Sequence, residues 1–194
     1  MIFSIILSYL FGSIPFGKIV TQFLTGKDIT KSGSGNIGAT NVFRTVSKKI
    51  GLLVLLLDGI KPILALVLIK FLQPNDFDVY KYSYLLISII GHMYPIWLIF
   101  KGGKGVACYF GGNLLIDPLF TLSAMIVWVI IVKITKLSSL GALISIFLLT
   151  TIQFVFMNGT LNKINLIMIL ILIMFKHKEN IIRLIDGKEN KINF

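Results

Sequence analysis

Cysteine is almost absent: Cys108 stands alone, which excludes a disulfide framework and a cysteine-based zinc site. Acidic residues are scarce, 8 against 19 Lys and Arg, and charged residues fill only 14% of 194 positions, where a soluble domain carries about a quarter. An ordinary soluble domain is therefore excluded. No GK[ST] follows any glycine cluster, since Lys104 of GGKG precedes Gly105, so there is no Walker loop for ATP hydrolysis. Of the two histidines, neither His92 nor His177 is followed five residues on by aspartate. The chain also lacks internal repeats, low-complexity linkers and coiled-coil heptads. The opening MIFSIILSYLFGSIPFG has no basic residue before Lys18 and no cleavage site, so it reads as a retained first helix and not as a secretory signal.

What is present is apolar. Hydrophobic residues make up 56% of the chain and mean hydropathy is +0.89, the composition of an integral membrane protein. Each crossing uses about 20 residues, which leaves room for one membrane domain, residues 1–194, with little beside it. Apolar runs extend over Met1 to Phe23, Ile50 to Leu72, Tyr82 to Phe100, Val106 to Ile116, Leu119 to Ile134, Ser138 to Met157 and Ile164 to Phe175, an expected seven crossings. The fourth and seventh fall short of the roughly 17 residues of a straight span, so they must tilt, borrow flanking residues or thin the bilayer; six crossings is the other count the runs allow.

With seven crossings, residues 26–49, 101–105, 133–137 and the tail from Lys176 fall on one side, together with most of the Lys and Arg. The other side holds residues 73–81, 117–118 and 158–163, with Lys70, Lys81 and Lys163. The positive-inside rule makes the first side cytoplasmic, the N-terminus outside and the C-terminus inside. Every cluster with chemical character then lies on the cytoplasmic face. The net charge of +11 is accordingly read as orientation plus anionic substrates, with no nucleic-acid partner.

Three clusters stand out. In GSGNIGATNVFR, Gly33, Gly35 and Gly38 permit backbone shapes that turn successive N–H groups into one concavity. Ser34, Asn36, Thr40 and Asn41 add neutral donors, and Arg44 a planar fork suited to phosphate. The pattern suits a phosphate cradle; the competing reading is a flexible loop whose Ser, Thr and Asn cap helices. In GHMYPIWLIFKGGKGVA, Lys101 and Lys104 flank Gly102 and Gly103 where a helix would begin at Val106, offering free N–H groups and a positive dipole end to an anion. A basic loop that only holds orientation is the alternative there. In the tail, HKENIIRLIDGKENK, residues His177, Asn180 and Leu184 share one helix face, placed either to close over a site or to anchor at the interface.

Lesser features carry their own alternatives. His92, inside an apolar run, faces protein or water or is a packing residue. Asp58 and Lys61 are spaced to pair on one helix face, favouring a structural ion pair. In KLSSL, Ser138 and Ser139 stand at a helix start, where capping is the default role.

Taken in order, GSGNIGATNVFR, GHMYPIWLIFKGGKGVA and HKENIIRLIDGKENK resemble the three motifs of the bacterial acyl-phosphate:glycerol-3-phosphate acyltransferases, the PlsY family, and LSYLFGSIPFGKI resembles that family's first helix. The resemblance spans essentially the whole chain. It implies a multi-pass enzyme of the bacterial cytoplasmic (inner) membrane that moves an acyl group from acyl phosphate to glycerol 3-phosphate, the first committed step of phospholipid synthesis, without a cofactor or metal. Its implied partners are acyl phosphate, glycerol 3-phosphate, membrane lipid and, upstream, the enzyme that makes acyl phosphate. Matched by position, Arg44, Lys104, His177 and Asn180 are the expected catalytic residues, and Ser34, Asn36, Gly38, Thr40, Asn41, Gly102, Gly103 and Ser139 the expected substrate-binding ones. Thr30, Pro62, Trp97 and Lys136 depart from the family's usual pattern.

Both substrates of such a reaction are anions, which suits Arg44, Lys104 and glycine-loop amides. Phosphate leaves readily, so the expected mechanism is direct transfer with a substrate phosphate oxygen taking the proton and His177 binding phosphate. Cys108 has no paired histidine in its sequence context, which speaks against a thioester intermediate. A transport protein would spread polar residues through the bilayer, whereas here they concentrate on one face. A lipid phosphatase or a CDP-alcohol phosphotransferase lacks its signature in this chain.

Overall fold

The computed structural model describes residues 2–192, and Met1, where the first expected run starts, lies outside them. Ten α-helices follow one another with no strand among the described residues: α1 Ile2–Ser13, α2 Phe16–Thr25, α3 Ala39–Thr45, α4 Lys48–Leu72, α5 Pro74–Met93, α6 Val106–Ile116, α7 Pro118–Thr135, α8 Ser138–Phe156, α9 Thr160–Lys176 and α10 Lys178–Ile185.

Prolines set several boundaries. The first apolar run is not one helix: it breaks at Ile14–Pro15, where Pro15 caps α2. The third run is displaced. Its helix starts at Pro74, in the first turn where a missing N–H costs nothing, and stops at Met93 because Tyr94 precedes Pro95 and is steered away from helical geometry. Residues 73–81, expected as a loop, are thus helical apart from Gln73, and 94–100 are not a continuous span. The seventh run gains its missing length by starting at Thr160, whereas α6 keeps only 11 residues. Inside the 26–49 segment a 3-10 turn at Ile29–Lys31 and the short α3 replace a shapeless loop.

Four stretches are long and apolar enough to cross a membrane: Ile2–Thr25, Lys48–Leu72, Pro118–Thr135 and Ser138–Phe156. A fifth is added if α9 and α10, bent by 59°, count as one. The pattern of burial is that of a lipid-facing bundle. Leu, Ile, Phe and Val cover the outside of α4, α7 and α8, while Ser8, Thr21, Asp58, Lys61, His92, Asn113, Ser145 and Gln153 are buried. In lipid there is no water to satisfy such groups, so most bond to one another or to carbonyls of their own helix: Tyr109 Oη lies 3.0 Å from Thr150 Oγ1, Gln153 Nε2 donates to Asn113 Oδ1 at 3.0 Å, and Ser145 Oγ donates to the carbonyl of Gly141 at 2.7 Å.

Small residues bring backbones together. A methyl group on Gly111 of α6 would sit 2.0 Å from the carbonyl oxygen of Gly59 on α4, and one on Gly12 of α1 would sit 2.0 Å from that of Ser88 on α5. The apolar core lies among α5, α6, α8 and α9, with Leu85, Ile89, Met93, Tyr109, Ile146, Ile169 and Ile173 at its centre. One end of this bundle gathers α3, the starts of α4, α6 and α8, and the junction of α9 with α10.

Candidate active site

At that end lies a pocket of about 110 Å³. Its walls include ten of the twelve expected site residues: Ser34, Asn36, Gly38, Thr40, Asn41, Arg44, Lys104, Ser139, His177 and Asn180. Four separate stretches of the chain, residues 34–44, Lys104, Ser139 and residues 177–180, therefore converge on one cavity.

The glycine loop is built by its own side chains. Gly33 and Gly35 have φ of +56° and +70°, left-handed values that glycine adopts without a Cβ clash. Gly38 does not use that freedom, since its φ is −69° and it caps α3. Asn41, 3% exposed, is the hub: its Oδ1 accepts from the N–H of Ser34 at 3.1 Å, and its Nδ2 donates to the carbonyls of Ser32 and Asn36, each at 2.9 Å. Both amide hydrogens are committed inside the loop, so Asn41 shapes the pocket wall. Thr40 Oγ1 meets Ser138 Oγ at 3.1 Å, linking α3 to the start of α8.

Gly102 and Gly103 do not line the pocket. Their N–H groups donate backward to the carbonyls of Met93 at 3.1 Å and His92 at 3.0 Å, closing the end of α5. Gly105, with φ of +85°, caps α6 and puts its first residues, Val106 and Ala107, on the pocket wall. The N-terminus of α6 thus faces the cavity, as its sequence position suggested, but through Gly105 and not through the preceding glycines.

Cations meet carboxylate and amide at the mouth. Lys104 Nζ donates to Asn180 Oδ1, while Asn180 Nδ2 donates to Glu189 Oε1 at 2.6 Å. Glu189 also accepts from Ser139 Oγ at 3.0 Å and from Arg183 Nε at 2.8 Å. Arg44 Nη1 donates to the carbonyl of Asn190 at 3.2 Å. Burial pushes the Lys104 ammonium below its ordinary pKa, and the nearby Arg183 adds to this; burial likewise lowers Arg44. Desolvated cations that repel one another gain most from an incoming anion.

His177 sits at the α9–α10 junction, 3% exposed, with Nδ1 2.8 Å from the carbonyl oxygen of Ile173. A carbonyl only accepts, so Nδ1 carries the proton and Nε2 has the lone pair. Burial is the main cause that holds its pKa down, at about 4, with Lys104 acting in the same direction. The imidazole is therefore neutral near pH 7 and presents an acceptor.

Several wall residues were not anticipated as such. Glu189 and Asn190 return to the pocket because the chain turns at Gly187, with φ of +67°, and the N–H of Ile192 donates to the carbonyl of Lys136 at 2.8 Å; the only sequence signal was a tail placed to close over a site. Asp58, His92, Ser138 and Trp128 also line the cavity. Among the described residues no three His, Cys, Asp or Glu side chains form a metal-binding group.

A helical bundle with polar side chains inside, apolar ones outside and a basic, amide-rich pocket at one end defines an integral membrane protein with a polar cavity at one end of its bundle. A family model described as Glycerol-3-phosphate acyltransferase matches residues 2–187. Curated glycerol-3-phosphate acyltransferases from Ehrlichia chaffeensis, 42% identical with 97% of this chain and 95% of the relative covered, and from Pelagibacter ubique, 43% identical with 95% and 93% covered, align along nearly the full length. The fold superposes with a TM-score of 0.89 at 35% identity on the crystal structure of PlsY, an integral membrane glycerol 3-phosphate acyltransferase, in its glycerol 3-phosphate form, covering 99% of this chain and 95% of that one. The chain belongs to the glycerol-3-phosphate acyltransferase family, as a multi-pass membrane acyltransferase of the PlsY type, and so is an enzyme.

Proposed function

We propose that the protein transfers an acyl group from acyl phosphate to the 1-hydroxyl of sn-glycerol 3-phosphate, giving 1-acyl-glycerol 3-phosphate (lysophosphatidic acid) and phosphate. The observation that carries this reading is the convergence of Arg44, Lys104, Asn180 and Ser139 with Ser34, Asn36, Gly38 and Thr40 of the glycine loop on one pocket, a basic, polar lining suited to two phosphates held side by side. Arg44 and Lys104 offset the repulsion between the anions, and the bound pair reacts as if in a single molecule.

The hydroxyl oxygen attacks the acyl carbonyl carbon, the bond from that carbon to the phosphate oxygen breaks, and the hydroxyl proton passes to a phosphate oxygen. Fixed donors at the pocket wall stabilise the oxyanion in between. His177 binds phosphate in this scheme: its Nε2, a lone pair in the ligand-free state, takes a proton as a phosphate anion arrives and then donates to it.

The chain works as a single seven-span domain in a bacterial cytoplasmic membrane, with the N-terminus outside and the pocket and C-terminus cytoplasmic. The distribution of Lys and Arg supports this orientation. In it, soluble glycerol 3-phosphate enters from the cytoplasm while the acyl chain stays in lipid, supplied by an enzyme that makes acyl phosphate.

Purified protein in detergent, given palmitoyl phosphate and glycerol 3-phosphate without ATP or metal, tests this directly. Equal release of phosphate and lysophosphatidic acid is expected, with none from palmitoyl-CoA as donor. Transfer from the thioester, or phosphate release without the lipid product, would refute the reading.

A further inference from the structure

The pocket floor holds a buried charge cluster that no step of the transfer uses. Lys61 of α4 is 1% exposed, and its ammonium has three partners: Asp58 Oδ1 at 2.8 Å, the carbonyl oxygen of Ile14 at 2.8 Å and Nδ1 of His92 at 2.9 Å. An ammonium has three N–H donors and no lone pair. Each donor therefore meets an acceptor, Nδ1 of His92 must be unprotonated, and its ring proton lies on Nε2. Asp58 Oδ1 stands 3.6 Å from the same Nδ1, and the Cys108 thiol donates to the Asp58 carbonyl at 3.2 Å.

The far side of the His92 ring bears on the loop that carries Lys104. A methyl group on Gly103 would sit 2.0 Å from Nε2 and 2.7 Å from Cε1, so only a glycine fits there. The Gly103 N–H is meanwhile held by the His92 carbonyl at 3.0 Å. One residue thus braces the loop through ring and backbone together, and the next residue, Lys104, reaches Asn180 across the pocket. The contacts run unbroken from the break in the first apolar run, at Ile14, through Lys61 and His92 to the cation expected to hold substrate phosphate.

We propose that Lys61 is a positioning residue: by holding His92 as the Nε2–H tautomer against Gly103, it sets where Lys104 stands in the pocket. The inference rests on reading Lys104 as a phosphate-binding residue. An ion pair kept only for stability would not need this arrangement, because apolar residues of similar volume commonly replace buried pairs without loss.

The chain has only two histidines, so ¹⁵N-histidine labelling of the full-length protein in detergent resolves both rings, with His177→Gln assigning them. The expected spectrum near neutral pH shows His92 protonated on Nε2 alone; a proton on Nδ1 overturns the proposal before any variant is made. Lys61→Met is expected to mix the His92 tautomers and lower kcat/KM about 100-fold, the scale of a small misplacement of a catalytic group. Asp58→Leu with Lys61→Met removes the stranded carboxylate, and should recover thermal stability without recovering turnover. Recovery of both, or undiminished turnover in Lys61→Met, means the cluster is structural and overturns the proposal. Absence of transfer by the wild type would refute the functional reading instead, while the spectrum still decides the tautomer without substrate.

Discussion

Acid should destabilise this protein through His177, by an amount the structure sets. The ring is buried with Nδ1–H fixed on the Ile173 carbonyl, and its pKa is held at about 4 against an ordinary 6.5. The folded state thus binds fewer protons than the unfolded chain throughout that interval, so unfolding free energy rises with pH across it. The contribution is complete above the ordinary value, shrinks as pH falls from 6.5 toward 4, and is lost below. At about 1.36 kcal/mol per pH unit, the interval corresponds to about 3 kcal/mol. Thermal unfolding of detergent-solubilised protein, followed at pH 7 and at pH 4 for wild type and His177→Asn, isolates this from the titration of carboxylates. Asparagine can keep the bond to Ile173 without titrating, so the variant should lose less stability by about 3 kcal/mol than the wild type on acidification. An equal loss in both would mean that the ring is not held neutral in the fold.

Other perturbations separate the pocket from its surroundings. Arg44→Ala and Lys104→Ala should each slow acyl transfer by about 100-fold or more, as loss of a fixed donor to a developing anion does, whereas Lys48→Ala and Lys188→Ala, at exposed positions, should leave steady-state rates near wild type; equal effects from all four would remove the site from this pocket. Glu189→Ala strips an acceptor from Ser139, Asn180 and Arg183 together, and should lower both melting temperature and turnover more than Arg183→Ala, whose side chain is 31% exposed. Gly111→Ala pushes a methyl into the Gly59 carbonyl and should cost about 1–3 kcal/mol, the usual penalty for overpacking, read as a lowered melting temperature at unchanged KM.

How much was legible in advance differs between composition and contact. Ten expected site residues lie on one pocket because each belongs to a short local pattern whose chemistry, anion-binding amides and cations, is visible in the residues themselves. Gly102 and Gly103 look like further anion donors for the same reason, yet their N–H groups close α5 onto Met93 and His92. Asn41 is likewise a donor by type whose hydrogens the loop uses for itself. A sequence displays which groups can bond and is silent on which partner takes them.

By itself, the sequence determined that this chain lives in lipid, that it is helical, and that its polar chemistry is gathered in three clusters. Those follow from side-chain transfer energies and from the need to satisfy every backbone group inside a bilayer, both local properties. The tertiary structure alone decided that Glu189 returns to bond Ser139, that Arg44 reaches the carbonyl of Asn190, and that His92 joins the Asp58–Lys61 pair with Nδ1 2.9 Å from the ammonium beneath the pocket. Each of these joins residues far apart in the chain, and which distant groups meet is settled by how the helices pack.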